Sequence, residues 1–476
     1  MAKNKGGIRD QQLSVLYRVV KTAGLITEIT GPTLQDLKLR ADTNYENIAR
    51  VLSGQDVGFF IGSATAGIVV DKLVNYCDAF LGLSLSFAAL AVTAIPWAPS
   101  LELIWVLLVF QGICGGMINI AGQRILILMW RKRSASPLHA LHMGFGIGSF
   151  IVPLIANPFM ADRVPMALPN STNFTDANYS NFTTTPPEAG GENDMDKYVL
   201  VNSRIEYAYA ITASIPFVVA CVFYYYQCDG KSRNIYRSNP DEGKSEKTKS
   251  LKEIINPTSC TGGGCLSGTL LFLLLFFFFF NIEGLERTAG KFIRVYAIDQ
   301  LKFSKDDGTY INTVFWALFS VGRFSGFIAA NWVPIRILLV IEVFVQLIFA
   351  GLLNIFADDS KLMLWVFSTP LGFFLGPLFP TGVGWANHHV EMTGFAITFL
   401  LCGAALGGVS YTWIIGYLYD TYGPISFLFQ ILTGCVILSL ITILLSILSK
   451  IKGTRYDNKN VTSENSAEKN ASETKF

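Results

Sequence analysis

The stretch CLSGTLLFLLLFFFFFNIEGLERTAGKFIRVYAI occupies residues 265–298 of the chain. Its first half, Leu270–Phe280, is continuously apolar. Its second half carries charged side chains, namely Glu283, Glu286, Arg287, Lys291 and Arg294. The run exceeds the roughly 20 residues that a helix needs to cross a bilayer, so the carboxylates fall near the middle of the membrane. Charge at that depth costs about 2.5 to 3.5 kcal/mol per residue and must face protein or water. We interpret this helix as one wall of a solute pathway.

The rest of the chain shares this apolar character. Its 476 residues are 51% hydrophobic and 13% aromatic but only 15% charged, with a mean hydropathy of +0.41. Soluble domains average about 25% charged residues, so the composition predicts a polytopic membrane protein. The net charge of +2 gives no reason to expect nucleic-acid binding. The eight cysteines fall outside the segments predicted to be external, so no disulfide framework is expected.

Apolar windows of about 20 residues recur along the chain and predict twelve membrane-spanning helices. They lie at residues 13–37, 49–70, 79–97, 102–128, 138–160, 204–227, 265–298, 309–330, 337–356, 362–385, 392–416 and 424–449. The first window is the weakest, because Arg18, Lys21 and Glu28 interrupt it. The predicted fold is an all-α polytopic membrane protein with two six-helix bundles, as small residues at matching positions of the two halves also indicate.

Polar segments divide the chain into predicted domains. Residues 1–12 are a cytoplasmic N-terminus, 13–227 the first bundle, 228–262 a Lys/Ser-rich cytoplasmic linker, 263–449 the second bundle, and 450–476 a disordered cytoplasmic tail. Lys and Arg concentrate in the short loops assigned to the cytoplasm, which predicts that both termini are cytoplasmic.

The long loop at residues 161–203 lies on the opposite side in this topology. Four Asn-x-Ser/Thr sequons fall within it, at Asn170, Asn173, Asn178 and Asn181. Sequons are glycosylated in external loops, so this cluster predicts a glycoprotein of the plasma membrane.

Polar residues within the spans are candidates for binding a solute. Transporters built from two repeats form their sites near the midplane from helices of both halves. The candidate substrate-binding residues are Gln111, Asn119, Gln123, His142, Asn281, Asn312, Trp316 and Trp413. Amides and imidazole hydrogen-bond sugar hydroxyls, and aromatic rings cover the apolar face of a hexose. The plainer alternative is that these groups join one helix to another.

Carboxylates in the spans are candidates for ion coupling. Glu286 is the strongest, with Glu283 and Glu28 as further candidates, because a buried carboxylate that binds Na⁺ or a proton biases a two-state carrier. The alternative for Glu286 is an ion pair with Arg287, or with Arg18 or Lys21 of the first span.

The cations that follow Glu286 recur at four- and three-residue spacing, so Arg287, Lys291 and Arg294 share one helix face. The plainer interpretation of Lys291 and Arg294 is that they extend to the outer membrane surface. No metal site or resident cofactor is predicted, since the pair His139 and His142 has no third ligand nearby. Nucleophile elbows, phosphate loops and His-Glu-x-x-His motifs are missing from the sequence, which argues against an enzyme.

Several motifs occur together and in a consistent order. They are GPTLQDL at 31–37, VDKLVNY at 70–76, ILILMW at 125–130, HALH at 139–142, GLE at 284–286 and FPTG at 379–382. This set resembles the sodium-dependent glucose transporter 1 family, a branch of the major facilitator superfamily. The resemblance implies twelve helices in two bundles and hexose uptake coupled to Na⁺. The chain departs from the family pattern at Arg287 and Lys291, where a cation would compete with Na⁺.

The prediction is therefore a secondary active transporter that moves a hexose such as glucose by Na⁺ symport, through alternating access. Its expected partners are a sugar, Na⁺ and membrane lipid, and it is expected to act as a monomer. An uncoupled facilitative carrier and a non-transporting receptor or scaffold remain alternatives.

Overall fold

The computed structural model describes residues 24–72, 76–130, 135–165, 198–229, 265–390 and 394–452. Within these ranges, side chains are not described at 67–72, 123–130, 135–142, 163–165, 198–201, 265–267, 327, 394–395 and 452. The four predicted sequons, most of the predicted linker and nearly all of the predicted tail lie outside the described residues.

Helices account for nearly all of the described chain. In the first half they are α1 (residues 24–28), α2 (Leu34–Arg40), α3 (Tyr45–Leu52), α4 (Gly54–Lys72), α5 (Cys77–Ala94), α6 (Leu101–Trp130), α7 (Ala135–Ala156) and α8 (Ile205–Asp229). In the second half they are α9 (Cys265–Asp299), α10 (Lys305–Ala329), α11 (Ile335–Phe356), α12 (Lys361–His389), α13 (Gly394–Tyr422) and α14 (Ser426–Lys452).

Eight of the described helices are long and apolar enough to cross a membrane. The helix order is consistent with twelve crossings. Helices α1 and α2 are the two parts of one interrupted span, and α3 and α4 are the two parts of the next.

The predicted all-α fold is confirmed, and one short hairpin accompanies the helices. Two short strands, β1 (Asp162–Pro165) and β2 (Tyr198–Val201), pair antiparallel with Asp162 opposite Val201. They flank the long loop between α7 and α8, where no helix competes for their backbone groups. We call the end of the bundle that carries this hairpin the loop end, and the opposite end the linker end.

The two halves use the same kind of close helix contact. In the first half α4 packs against α6 at Gly62, where a Cβ atom would lie 2.0 Å from the carbonyl oxygen of Ile113. In the second half α10 packs against α12 at Gly322, where a Cβ atom would lie 1.9 Å from the carbonyl oxygen of Phe373. Small residues are needed at both places because the helix backbones touch.

The halves meet tightly at the loop end. On α13 a Cβ atom at Gly416 would lie 2.3 Å from the Cβ atom of Ala49 on α3. Asp420, at the end of α13, accepts hydrogen bonds from the backbone N–H groups of Tyr45 (3.1 Å) and Glu46 (2.5 Å). A carboxylate is favourable there because the first N–H groups of α3 are otherwise unpaired and the helix dipole is positive. The loop end is thus closed across the two halves.

Candidate functional site

The first span, predicted as one helix, is interrupted in the middle of the site. Helix α1 ends at residue 28, residues 29–33 form turns, and α2 begins at Leu34. Pro32 within the turn has no N–H group and disfavours a helical conformation at the preceding residue. Gly31 allows the turn to touch α9, because a Cβ atom there would lie 2.8 Å from the carbonyl oxygen of Gly290.

Side chains from neighbouring helices satisfy the carbonyl groups that the interruption exposes. Gln111 Nε2 on α6 donates to the carbonyl oxygen of Ile26 (3.4 Å), and Gln55 Nε2 on α4 donates to that of Thr27 (3.0 Å). Within the turn, Thr33 Oγ1 donates to the carbonyl oxygen of Ile29 (2.6 Å). Unpaired carbonyls in a membrane interior are costly, so these amides stabilise the broken helix.

Arg287 on α9 joins the two halves by ion pairs. Its guanidinium lies 2.7 Å from Glu28 on α1, 3.2 Å from Asp56 on α4 and 2.9 Å from Glu283 one turn earlier on α9. The Arg287 side chain is only 8% exposed. A buried cation needs such partners, because desolvation of an unpaired charge costs several kcal/mol.

Glu286 forms an ion pair with Arg323 on α10. The alternative considered for Glu286 was a pair with Arg287, Arg18 or Lys21, of which Arg18 and Lys21 lie outside the described residues. Arg323 Nη2 lies 3.4 Å from Glu286 Oε2, and Arg323 Nε donates to the carbonyl oxygen of Gly376 (3.1 Å). That carbonyl is freed because Pro380, four residues later on α12, has no N–H group. The guanidinium also lies over the Phe319 ring, 4.4 Å from its centroid.

Lys291 and Arg294 do not extend to the membrane surface, so this interpretation was wrong. Both side chains are buried, and Lys291 is 0% exposed. Arg294 Nη1 donates to Gln35 Oε1 on α2 (3.3 Å). The reason is that this part of α9 is surrounded by other helices, with the turn after α1 directly against Lys291 at Gly31.

Arg287 and six other charged residues form what we call the central cluster. It consists of Glu28, Asp56, Glu283, Glu286, Arg287, Lys291 and Arg323. Each of its four carboxylates lies within 3.4 Å of the guanidinium of Arg287 or Arg323, and Lys291 follows Arg287 by one helical turn. Counted as ionised groups, the cluster's four carboxylates and three cations give a formal excess of one negative charge. Its members come from α1 and α4 of the first half and from α9 and α10 of the second.

Several buried polar atoms in and beside this cluster have no hydrogen-bond partner in the described part of the protein. They are Thr30 Oγ1, Gln55 Oε1, Asp56 Oδ2, Gln111 Oε1, Lys291 Nζ and Asn312 Oδ1. Their residues belong to or contact either the interrupted first span or the segment of α9 around Gly290. Buried polar atoms are normally hydrogen-bonded, to protein or to water, so this region is suited to polar molecules.

Three of the predicted substrate-binding residues lie in this region. Gln111 contacts the interrupted span, Asn312 Nδ2 donates to the carbonyl oxygen of Gly290 (3.0 Å), and the buried Trp316 ring lies against Gly290. Trp316 also meets Phe145 of the first half edge to face, with ring centroids 6.3 Å apart. These residues are therefore brought together by the fold.

Other predicted residues lie elsewhere. Asn281 accepts a hydrogen bond from the Tyr411 hydroxyl (2.5 Å) and is held within the second half. Trp413 is 48% exposed, with the Arg50 guanidinium 5.3 Å from its ring. Asn119 is partly buried on α6, eight residues beyond Gln111 towards the linker end. The side chains of Gln123 and His142 lie outside the described residues.

Sequence reasoning missed three functional candidates, Gln55, Asp56 and Arg323. Each is a polar or charged residue inside a predicted apolar span, which is itself a signal. Their partners are distant in sequence, so nothing local indicated which charge pairs with which.

Two bundles joined through a buried charged cluster define a membrane transporter of the two-repeat class. The sequence profile of the Major Facilitator Superfamily matches residues 22–411, and the chain belongs to this superfamily. Its members are transporters and not enzymes.

Similar proteins support the resemblance found in the sequence. Sodium-dependent glucose transporter 1 of Homo sapiens is 24% identical over 403 residues, which cover 84% of this chain and 72% of that protein. Major facilitator superfamily domain-containing protein 4A of Danio rerio is 24% identical over 470 residues, which cover 90% of this chain and 86% of that protein. The crystal structure of the nucleoside transporter NupG aligns with a TM-score of 0.60 at 10% identity, covering 92% of this chain and 99% of that one. This last similarity concerns the fold alone.

Proposed function

We propose that this protein transports a hexose such as glucose across the plasma membrane together with Na⁺, by alternating access between its two halves. The names of the sodium-dependent glucose transporters to which the chain is similar support the sugar and the ion. The observation that carries the proposal is the central cluster itself, whose ion-paired groups come from both halves and whose formal charge exceeds neutrality by one negative charge.

An excess of one negative charge suits one monovalent cation. Buried charge is costly unless it is balanced. Binding of one Na⁺ makes the cluster formally neutral and so lowers the free energy of the closed state through which the carrier passes. Arg287 contacts Glu28 and Asp56 of the first half, and these ion pairs rearrange if the halves separate at this level. A bound cation that favours one arrangement over the other shifts the equilibrium between them, which is the basis of coupling.

A neutral hydroxyl-rich solute suits the polar atoms beside the cluster. Most of the atoms without a partner among the described residues are acceptors, including the amide oxygens of Gln55, Gln111 and Asn312. Sugar hydroxyls donate to such acceptors without adding charge to a region that is already balanced by one cation. The Trp316 ring offers the apolar surface that one face of a hexose needs.

The proposal is tested by reconstitution of the protein in liposomes and measurement of labelled glucose uptake. An inward Na⁺ gradient is expected to accelerate uptake, and an ionophore that dissipates the gradient is expected to abolish the acceleration. Equal uptake with Na⁺ and with K⁺ would remove the coupling, and no uptake of any hexose would favour a receptor or scaffold. Empty liposomes give the background.

An uncoupled carrier is the second candidate. It is favoured by one observation, that Arg287 already contacts three carboxylates, so that Glu28, Asp56 and Glu283 have a cation from the protein itself. In that case glucose moves down its gradient at the same rate in Na⁺ and in K⁺, and accumulation above the equilibrium concentration does not occur.

A further inference from the structure

Asp56 and Lys291 are oppositely charged, buried and separate. Asp56 lies on α4 of the first half and Lys291 on α9 of the second, and their exposures are 2% and 0%. Asp56 Oδ2 and Lys291 Nζ each have no hydrogen-bond partner in the described residues. The two groups are nevertheless neighbours, because Lys291 lies one helical turn after Arg287 on α9 and Arg287 contacts Asp56 at 3.2 Å. In the described part of the chain, no carboxylate oxygen lies within 4.0 Å of Nζ.

The surroundings hold the two groups apart. Arg287 Nε lies 3.2 Å from Asp56 Oδ1, and α13 lies against the other oxygen, because a Cβ atom at Gly408 would be 2.8 Å from Oδ2. The backbone at Lys291 is fixed by the interrupted first span, since a Cβ atom at Gly31 would be 3.5 Å from the Lys291 Cα. Asn312 Nδ2 donates a hydrogen bond to the carbonyl oxygen of Gly290, the residue before Lys291. Asp56 Oδ1 faces Arg287, but the buried Oδ2 atom and the buried Lys291 ammonium have no hydrogen-bond partner in the described residues, which is costly and points to a molecule that joins them.

The chemistry of the two groups defines that molecule. A carboxylate only accepts hydrogen bonds and an ammonium only donates them, whereas a hydroxyl does both. A pair of adjacent hydroxyl groups can therefore donate to one group and accept from the other, and charge-assisted hydrogen bonds of this kind are strong. An anionic ligand would face the four carboxylates of the central cluster, and an amine would face its three cations. A neutral diol satisfies both groups without either conflict.

We propose that Asp56 and Lys291 form a clamp for two adjacent hydroxyl groups of the transported solute, one donating to Asp56 Oδ2 and the other accepting from Lys291 Nζ. This inference rests on the proposed transport of a neutral sugar and assigns its recognition to two residues. The amide oxygens of Gln55, Gln111 and Asn312, close to the same two segments, accept hydrogen bonds from the remaining hydroxyls. Because the clamp has one group in each half, a bound diol also links α4 to α9.

The first test uses the wild-type, full-length protein in detergent and measures binding by the shift of its thermal unfolding temperature. The ligands are glucose and the 2-, 3-, 4- and 6-deoxyglucoses. Loss of a hydroxyl that bridges a buried polar group leaves that group unpaired, so at least one deoxy sugar is expected to bind about tenfold more weakly or worse. Equal affinity for all of them would overturn the clamp.

The second test uses two variants, Lys291→Met and Asp56→Asn. Each variant is expected to bind glucose about tenfold more weakly or worse than the wild type. For the deoxy sugar that binds the wild type most weakly, each variant is expected to have the same affinity as the wild type, because the missing hydroxyl and the missing side chain belong to the same contact. Gln346→Leu is the matched control, because Gln346 is equally buried and its amide has no hydrogen-bond partner in the described residues, but it lies on α11. It is expected to bind glucose like the wild type. The deoxy-sugar series on the wild type decides the question if a variant fails to fold.

The outcomes separate the clamp from the proposed function. Glucose binding and transport that are unaffected by Lys291→Met would remove the clamp and leave hexose transport standing. If glucose does not bind but myo-inositol or a ribonucleoside does, and Lys291→Met abolishes that binding, the clamp is supported and the proposed hexose substrate is rejected. Tighter binding of ²²Na⁺ by Lys291→Met with unchanged sugar affinity would make Asp56 a cation ligand and overturn the clamp.

Discussion

The Tyr45 hydroxyl donates a 2.7 Å hydrogen bond to Asp299 Oδ2, and so joins the first residue of α3 to the last residue of α9 across the two halves. Asp299 also accepts hydrogen bonds from Gln35 Nε2 (2.8 Å) and the Tyr419 hydroxyl (3.3 Å). Alternating access requires this closed end to open, so the contacts have to be strong enough to seal it and weak enough to break.

Replacement of Tyr45 by Phe should shift the protein towards states open at the loop end. The change removes one buried hydrogen bond between the halves, worth about 1 kcal/mol, and keeps the ring. Pulsed EPR between spin labels at Glu102 and Asp359, two exposed loop-end positions on different halves, measures the opening in a background without native cysteines. The long-distance fraction is expected to rise several-fold.

Tyr419→Phe is the control for this prediction. Its hydroxyl lies farther from Asp299 and belongs to the same half, so its loss should change the distance distribution much less. Identical distributions for Tyr45→Phe and the wild type would show that the contact does not hold the halves together.

Bulk at Gly416 should prevent closure of the loop end. A Cβ atom there would lie 2.3 Å from the Ala49 Cβ and 2.8 Å from the Tyr45 carbonyl oxygen, and neither helix can yield without separating the halves. Gly416→Val is expected to fold but to lose most transport, measured as liposome uptake. Gly351→Ala on α11 is the matched control, because a Cβ atom there would meet no heavy atom of the described residues within 4 Å, and wild-type uptake is expected.

Glu286→Gln should destabilise the protein by leaving Arg323 as a buried cation without its carboxylate. Breaking a buried pair by loss of one partner costs about 3–5 kcal/mol, so the unfolding temperature is expected to fall. The double variant Glu286→Gln, Arg323→Gln should be more stable than the two single effects combined. Additive effects would mean that the pair contributes nothing, and unchanged Na⁺ dependence in folded Glu286→Gln would leave Glu286 purely structural.

Gln111→Leu should destabilise the interrupted first span. It removes the donor to the Ile26 carbonyl, and an unsatisfied buried carbonyl costs about 1–3 kcal/mol. Thermal unfolding in detergent is expected to begin at a lower temperature than in the wild type. Gln346→Leu, which breaks no hydrogen bond in the described structure, should show little change; a similar loss in both variants would contradict the assigned role of Gln111.

The four sequons at Asn170, Asn173, Asn178 and Asn181 remain a prediction, and they also test the orientation. Protein from cells with a secretory pathway should lose apparent mass on treatment with an N-glycosidase, because external loops meet the glycosylation machinery. Replacement of all four Asn residues by Gln should abolish the shift. A protein of unshifted mass would leave the loop end without evidence of an external position.

The amino-acid sequence by itself determined the membrane class and the position of the charged residues 283–294 within a membrane-spanning helix, because hydropathy and helix period are local properties of a chain. The sequence also placed Gly31 and Pro32 inside the first span, where a membrane helix tolerates both. It did not show that the helix stops there. Only the tertiary structure decided that Glu286 pairs with Arg323, that Arg287 bridges to Glu28 and Asp56, and that the buried Lys291 ammonium has no hydrogen-bond partner among the described residues. Charge pairing depends on which helices become neighbours, and residues hundreds of positions apart compete for each partner, so no local pattern could have chosen among them.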